Sequence, residues 1–155
     1  MTKPLKVLLL LVATAPFARA EVPPHDDAAD ARPIDALLLA YTDRVVTKDA
    51  TLEPGEPRPC GQIGATVWYR IDLLGGAYGT VFVTTKDADF STVVAVYEET
   101  PAGPALVECS DASAWGRRGE VYFQPEVGKS YLVQAGGARN ATGILVLTVG
   151  HRIPF

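Results

Sequence analysis

TVFVTTKDADFSTVVAVYEE, residues Thr80 to Glu99, decides the reading of the fold. Val81, Phe82 and Val83, and then Val93 to Tyr97, are dense in the β-branched and aromatic side chains that fill a pleated surface. Between them Lys86-Asp87-Ala88-Asp89 supplies turn-forming carboxylates. Two strands joined by a turn are expected. The second run is apolar at nearly every position, as in a strand covered on both faces, which places Val93 to Tyr97 at the centre of a sheet.

Upstream, Ala65 to Leu73 alternates Val67, Tyr69, Ile71 and Leu73 against Trp68, Arg70 and Asp72, the period of a half-buried strand. Thr51 to Pro59 (TLEPGEPRP) holds three prolines and a glycine and is expected to be an extended loop outside any sheet. In Ile34 to Tyr41 (IDALLLAY) the Ala and Leu content favours a helix, while the length of eight and the β-rich surroundings favour an edge strand, which is the reading taken. Downstream, short strands are expected over Ala105 to Cys109, Glu120 to Gln124, Tyr131 to Ala135 and Ile144 to Val149, each bounded by Gly, Pro or acidic turns. Seven or eight short strands without a convincing helix predict an all-β fold, an antiparallel β-sandwich of jelly-roll type.

The chain has 155 residues, enough for one domain with its own core. Residues 1–20 carry Lys3 and Lys6, an apolar run from Val7 to Ala15, and Ala18-Arg19-Ala20, the pattern of a cleaved secretory signal. Pro16 and Arg19 interrupt the run well short of the roughly 20 apolar residues a membrane span needs. Residues 21–31 read as a flexible leader with His25 in solvent, 32–150 as the sandwich, and 151–155 as a tail. Cleavage removes three cations and no acids, taking the net charge from −4 to −7. An exported acidic domain with no clustered Lys or Arg excludes nucleic acid and anionic membrane as partners. Cys60 and Cys109, an even pair in an exported chain, are expected to form a disulfide.

Five pieces occur in an order that resembles the bacterial pre-peptidase C-terminal domain. They are Ala50 to Pro59, Val67 to Arg70, Asp89 to Tyr97, Cys109 to Asp111, and Val127 to Gln134 followed by Thr142-Gly143. The resemblance implies a secreted jelly-roll sandwich with a non-catalytic accessory role, such as adhesion to polymers or contact with protein. Some relatives bind calcium through acidic loops. This chain departs from the family's pattern at Ser91 and Ala112, where acids are usual.

Asp87, Asp89 and Asp111, with loop carbonyls and the Ser91 hydroxyl, are the candidate calcium ligands, since calcium takes six to eight oxygens. The reading taken is that they are turn and solubility residues with no cofactor, and calcium binding is the alternative. Trp68, Arg70 and Trp115 are the candidate ligand surface, because exposed aromatics stack on sugar rings and anchor protein contacts. The alternative buries both tryptophans, Trp68 beneath the Leu37 to Tyr41 segment. Catalytic residues are not expected: the only histidines are His25 and His151, neither placed beside a nucleophile. The reading is a secreted or periplasmic, non-catalytic module contacting protein or polysaccharide through an edge or end-loop surface. A calcium-dependent or purely structural cell-envelope sandwich is the alternative.

Overall fold

Val81 and Val83 of the first expected strand, and Val94 and Val96 of the second, meet in one buried core from opposite layers. The computed structural model describes residues 21–35, 40–73, 79–112 and 119–152. Nine strands form within them: β1 Arg32–Ile34, β2 Ala40–Val46, β3 Ile63–Asp72, β4 Thr80–Thr84, β5 Thr92–Thr100, β6 Gly103–Asp111, β7 Glu120–Phe123, β8 Ser130–Ala138 and β9 Ile144–Arg152. They make a five-stranded sheet, β1-β3-β8-β5-β6, and a four-stranded sheet, β2-β9-β4-β7. The fold is the expected all-β sandwich, with one or two more strands than the sequence suggested.

The additional strands come from the amino-terminal third. Ile34 to Tyr41 is not one strand: Ile34 closes β1 in one sheet and Ala40 opens β2 in the other, with 36–39 outside the described residues. β1 runs parallel to β3, Arg32 facing Tyr69 and Ile34 facing Ile71. Parallel neighbours need a long crossover, and here β2 in the opposite sheet supplies it instead of a helix. The remaining strand pairs are antiparallel.

β5 is interior and buried from Thr92 to Tyr97, although β8, not β5, holds the middle of its sheet. Burial on both faces has two sources. Val67, Tyr69, Val94, Val96, Val133 and their neighbours face the four-stranded sheet. Trp68, Ala95, Tyr97 and Leu132 face outward and form a second cluster with Ala28 and Ala31 of the amino-terminal segment.

What covers this outer face is the proline-rich loop, residues 51–60, which crosses the strands as a strap. At its start Thr51 O accepts from Thr66 N at 2.8 Å. Midway, Glu56 accepts from Trp68 Nε1 at 2.7 Å, and Pro57 O accepts from Gln134 Nε2 at 3.1 Å. At its end Cys60 is bonded to Cys109 on the far strand, Cα to Cα 6.3 Å. Trp68, Gln134, Ala95 and Cys109 are register partners across β3, β8, β5 and β6, so the strap follows one row of side chains over four strands.

A bulge in β3 between Gly64 and Val67 makes this possible. Ala65 takes φ 49°, a left-handed conformation uncommon for a residue with a Cβ. The extra residue reverses the alternation. Ile63 before it and Trp68 after it therefore both face the strap, Ile63 packing with Leu52 and Cys60.

Within residues 21–31, Pro23, His25 and Asp26 are buried, and Ala28 and Ala31 pack on the sheet. The expectation of a free leader with a solvated His25 is corrected: His25 is 2% exposed, and its carbonyl accepts from Trp68 N at 2.8 Å. Composition alone gave no periodicity there because the segment is held by backbone pairing and polar side chains. β9 likewise runs through Arg152, into the stretch read as tail, and 153–155 lie outside the described residues. The expected signal, 1–20, lies outside them as well. Among the described residues no helix is long and apolar enough to cross a membrane.

Candidate functional site

Alternation along β4 and β7 sends Val81, Val83, Val121 and Phe123 into the core, and therefore Phe82 and Tyr122 onto the outer face of the four-stranded sheet. The two are register partners with ring centroids 6.4 Å apart. Tyr122 is 41% exposed, and the Arg152 guanidinium of β9 lies 5.3 Å from its ring, within cation–π range. Its hydroxyl donates to Glu120 Oε1 at 2.8 Å. Gln124 Nε2 donates to Thr80 Oγ1 at 2.6 Å beside the pair, and farther along the face the Thr42 and Thr148 hydroxyls meet at 3.0 Å. The result is an open aromatic strip flanked by amide, hydroxyl and guanidinium groups.

The sequence candidates fall elsewhere. Trp68 does face outward from the main core, as its parity required, but it is 1% exposed, so it is corrected from ligand surface to buried residue. Its cover is the strap and the amino-terminal segment, not Leu37 to Tyr41. Trp115 lies outside the described residues.

Arg70 lines a polar cleft of about 340 Å³ with Glu99, Thr100, Pro101, Gly128, Lys129 and Ser130. Its charge is already engaged, Nε 2.9 Å from Asp72 and Nη2 3.0 Å from Glu99. The Ser130 hydroxyl and Arg70 together hold the Asp72 carboxyl below the usual carboxylate range. Lys129 is paired with Glu98 at 2.7 Å and Glu126 at 3.2 Å. Exposed pairs of this kind contribute at most about 1 kcal/mol each.

The three candidate calcium ligands are not brought together. Among the described residues no group of three His, Cys, Asp or Glu side chains is placed to hold a metal ion. Asp89 instead caps the start of β9, accepting from Ile144 N at 2.7 Å. Asp111 lies on β6 opposite Val93 and against Gly61, where a Cβ would meet its carboxylate. Asp87 is exposed in the β4–β5 turn.

Sequence reasoning missed a polar cluster in the edge between the sheets. Asp43 points inward from β2 and accepts from Arg32 at 2.7 Å and from the Tyr69 hydroxyl at 2.9 Å. His25 Nε2 lies 3.7 Å from the same carboxylate. Burial and the nearby Arg32 charge hold the His25 pKa below that of a free imidazole. A buried imidazole that substrate cannot reach is a packing element, not a general base. Desolvation and the Asp43 charge keep Tyr69 protonated.

No protein-family model matches the chain, and no curated protein matches it. Among solved structures it is similar to a family 6 carbohydrate-binding module, the subject of a dissection of binding sub-sites by crystallography and calorimetry. The identity is 17%, the TM-score 0.33, and the match covers 80% of this chain and 98% of that one. So distant a likeness carries no argument about what this chain binds. The class defined by the coordinates is that of a disulfide-pinned β-sandwich with one sheet face strapped and the other open.

Proposed function

We propose that the protein is an exported, non-catalytic binding module that takes a polysaccharide strand across the outer face of the four-stranded sheet. The observation that carries this reading is the Phe82–Tyr122 strip with Arg152, Gln124 and Thr80 around it. Ring faces supply apolar contact for the C–H side of a pyranose, and the flanking groups supply donors and acceptors for its hydroxyls. Export is supported by the signal-like residues 1–20 and by the Cys60–Cys109 bond, which persists in an oxidising compartment. An accessory role is supported by the motif order resembling the pre-peptidase C-terminal domain.

Retention on insoluble glycans tests the reading. Tyr122→Ala is expected to weaken retention about tenfold, the equivalent of about 1.4 kcal/mol for one stacked ring. The fold should be unaffected, because Tyr122 stands outside the core. Failure of the unaltered protein to bind cellulose, chitin and peptidoglycan alike would overturn the proposal.

A second reading rests on β6. It is the last strand of its sheet, and five consecutive residues, Pro104 to Glu108, are exposed, with Leu106 at 50% and Val107 at 40%. An open edge with apolar side chains accepts an extended segment of a partner protein. In that case Leu106→Lys with Val107→Lys abolishes protein capture by the immobilised chain and leaves glycan retention intact.

A further inference from the structure

The strap contains Glu53-Pro54-Gly55-Glu56, and this order dictates its geometry. Proline presets the second position of a turn, and Gly55 takes φ 93° at the third, closed by Glu56 N donating to Glu53 O at 3.1 Å. Residues one and four of such a turn lie side by side. The turn thus forces two carboxyl groups together on the sheet-facing side of the strap.

Counting protons there gives a deficit of donors. The Thr66 hydroxyl has one hydrogen and two acceptors, Thr51 O at 3.1 Å and Glu56 Oε2 at 2.7 Å. The Thr51 hydroxyl likewise has one hydrogen between Asp26 Oδ2, at 2.6 Å, and Glu53 Oε1. Glu53 Oε2 is buried with no donor in reach. Asp26 also accepts from Thr51 N at 2.7 Å, and Glu56 from Trp68 Nε1 at 2.7 Å and Gln134 Nε2 at 3.5 Å, so Glu53 is the carboxyl left short, and a proton on Glu56 supplies its missing bond. Among the described residues the other groups facing this cluster add no compensating cation. Burial favours the neutral form of His25 beside Asp26, and burial keeps Tyr97 from β5 protonated. Thr66 and Trp68 of β3 and Gln134 of β8 are uncharged, and Arg58 of the strap is exposed.

We propose that the strap is a proton-operated latch: one proton shared by Glu53 and Glu56 holds its middle against the sheet, and loss of that proton lifts residues 53–57 and uncovers Trp68 and Tyr97. Two ionised carboxylates with Asp26 nearby repel each other at close range, while the disulfide keeps the strap's far end attached. Burial and the hydrogen bond to Glu53 push the Glu56 carboxyl up to about 7. Burial opposes ionisation of Glu53, but its bonds from Glu56 and Thr51 prevail and hold it low. Because the Glu56 pKa is raised on closure, closure is favoured at acid pH and lost as pH rises through about 7.

Trp68 donates to Glu56 and reports on the latch directly. In the Trp115→Phe chain it is the only tryptophan, so acrylamide quenching reads it alone. The quenching constant is expected to rise severalfold between about pH 5.5 and about pH 8.5, with a midpoint near 7 and an unchanged far-ultraviolet spectrum. In Glu56→Gln the amide donates to Glu53 permanently, and quenching stays at its low value throughout. Protection of Trp68 that is the same at both ends of the range would overturn the proposal. So would a transition that persists in Glu56→Gln, or a midpoint that moves with calcium, since a cation would then be the latch. Hydrogen exchange confined to residues 51–60 in the unaltered chain provides the same test without any substitution.

Discussion

Trp68→Ala is expected to lower stability by about 3–5 kcal/mol, the range for removing a buried indole. The residue is 1% exposed and packs against Tyr97 with ring centroids 6.0 Å apart. Truncation empties the space between strap and sheet and also removes the donor to Glu56 Oε1. Trp68→Phe separates the two effects. It keeps most of the ring contact and loses only the N–H, leaving a partly buried acceptor unpaired at about 1–3 kcal/mol. Urea unfolding followed by far-ultraviolet dichroism measures both. A loss below about 1 kcal/mol for the alanine variant would mean that the strap closes over the gap, or that the outer cluster contributes little.

Replacing Cys60 and Cys109 together by serine is expected to cost about 4 kcal/mol, since the bond closes a loop of 49 residues whose freedom in the unfolded chain is otherwise regained. For a chain of this length that corresponds to a melting temperature lower by about 10 °C. The loss should appear equally on adding reductant to the unaltered protein. The two sites share the strap, so their effects should not add: with the disulfide absent the strap is held less firmly, and Trp68→Ala then costs less than in the oxidised protein. Strict additivity would show that the strap stays in place without its sulfur anchor.

The parts of the fold legible in the sequence were those whose side-chain pattern depends on a single neighbour. Val67, Tyr69 and Ile71 alternate because one face of β3 meets the core, and β5 is uniformly apolar because both of its faces are covered. β2 was not legible, because Asp43 occupies an inward position where an apolar residue is expected and is accommodated only by Arg32 and Tyr69, both distant in sequence. β6 was read as short because its outward residues and its edge position leave no periodic signal.

The site was less legible than the fold for the same reason. Parity correctly placed Trp68 on the opposite side from Val67, but parity does not say whether that side is wet. The answer lay in the strap, whose prolines had marked it as a loop without indicating what it lies on. Phe82 and Tyr122 were visible as strand residues, and only the pairing of β4 with β7 makes them neighbours. The Glu53 and Glu56 carboxyls had a signal that went unused: two acids flanking Pro-Gly at the ends of a four-residue turn.

The strap is fastened at Thr51 beside β3 and at Cys109 on β6, so it spans four of the five strands of its sheet. Held at both ends, it keeps the outer cluster of Trp68, Ala95, Tyr97 and Leu132 out of solvent. The opposite sheet, which carries Phe82 and Tyr122, is packed on that layer through the shared core.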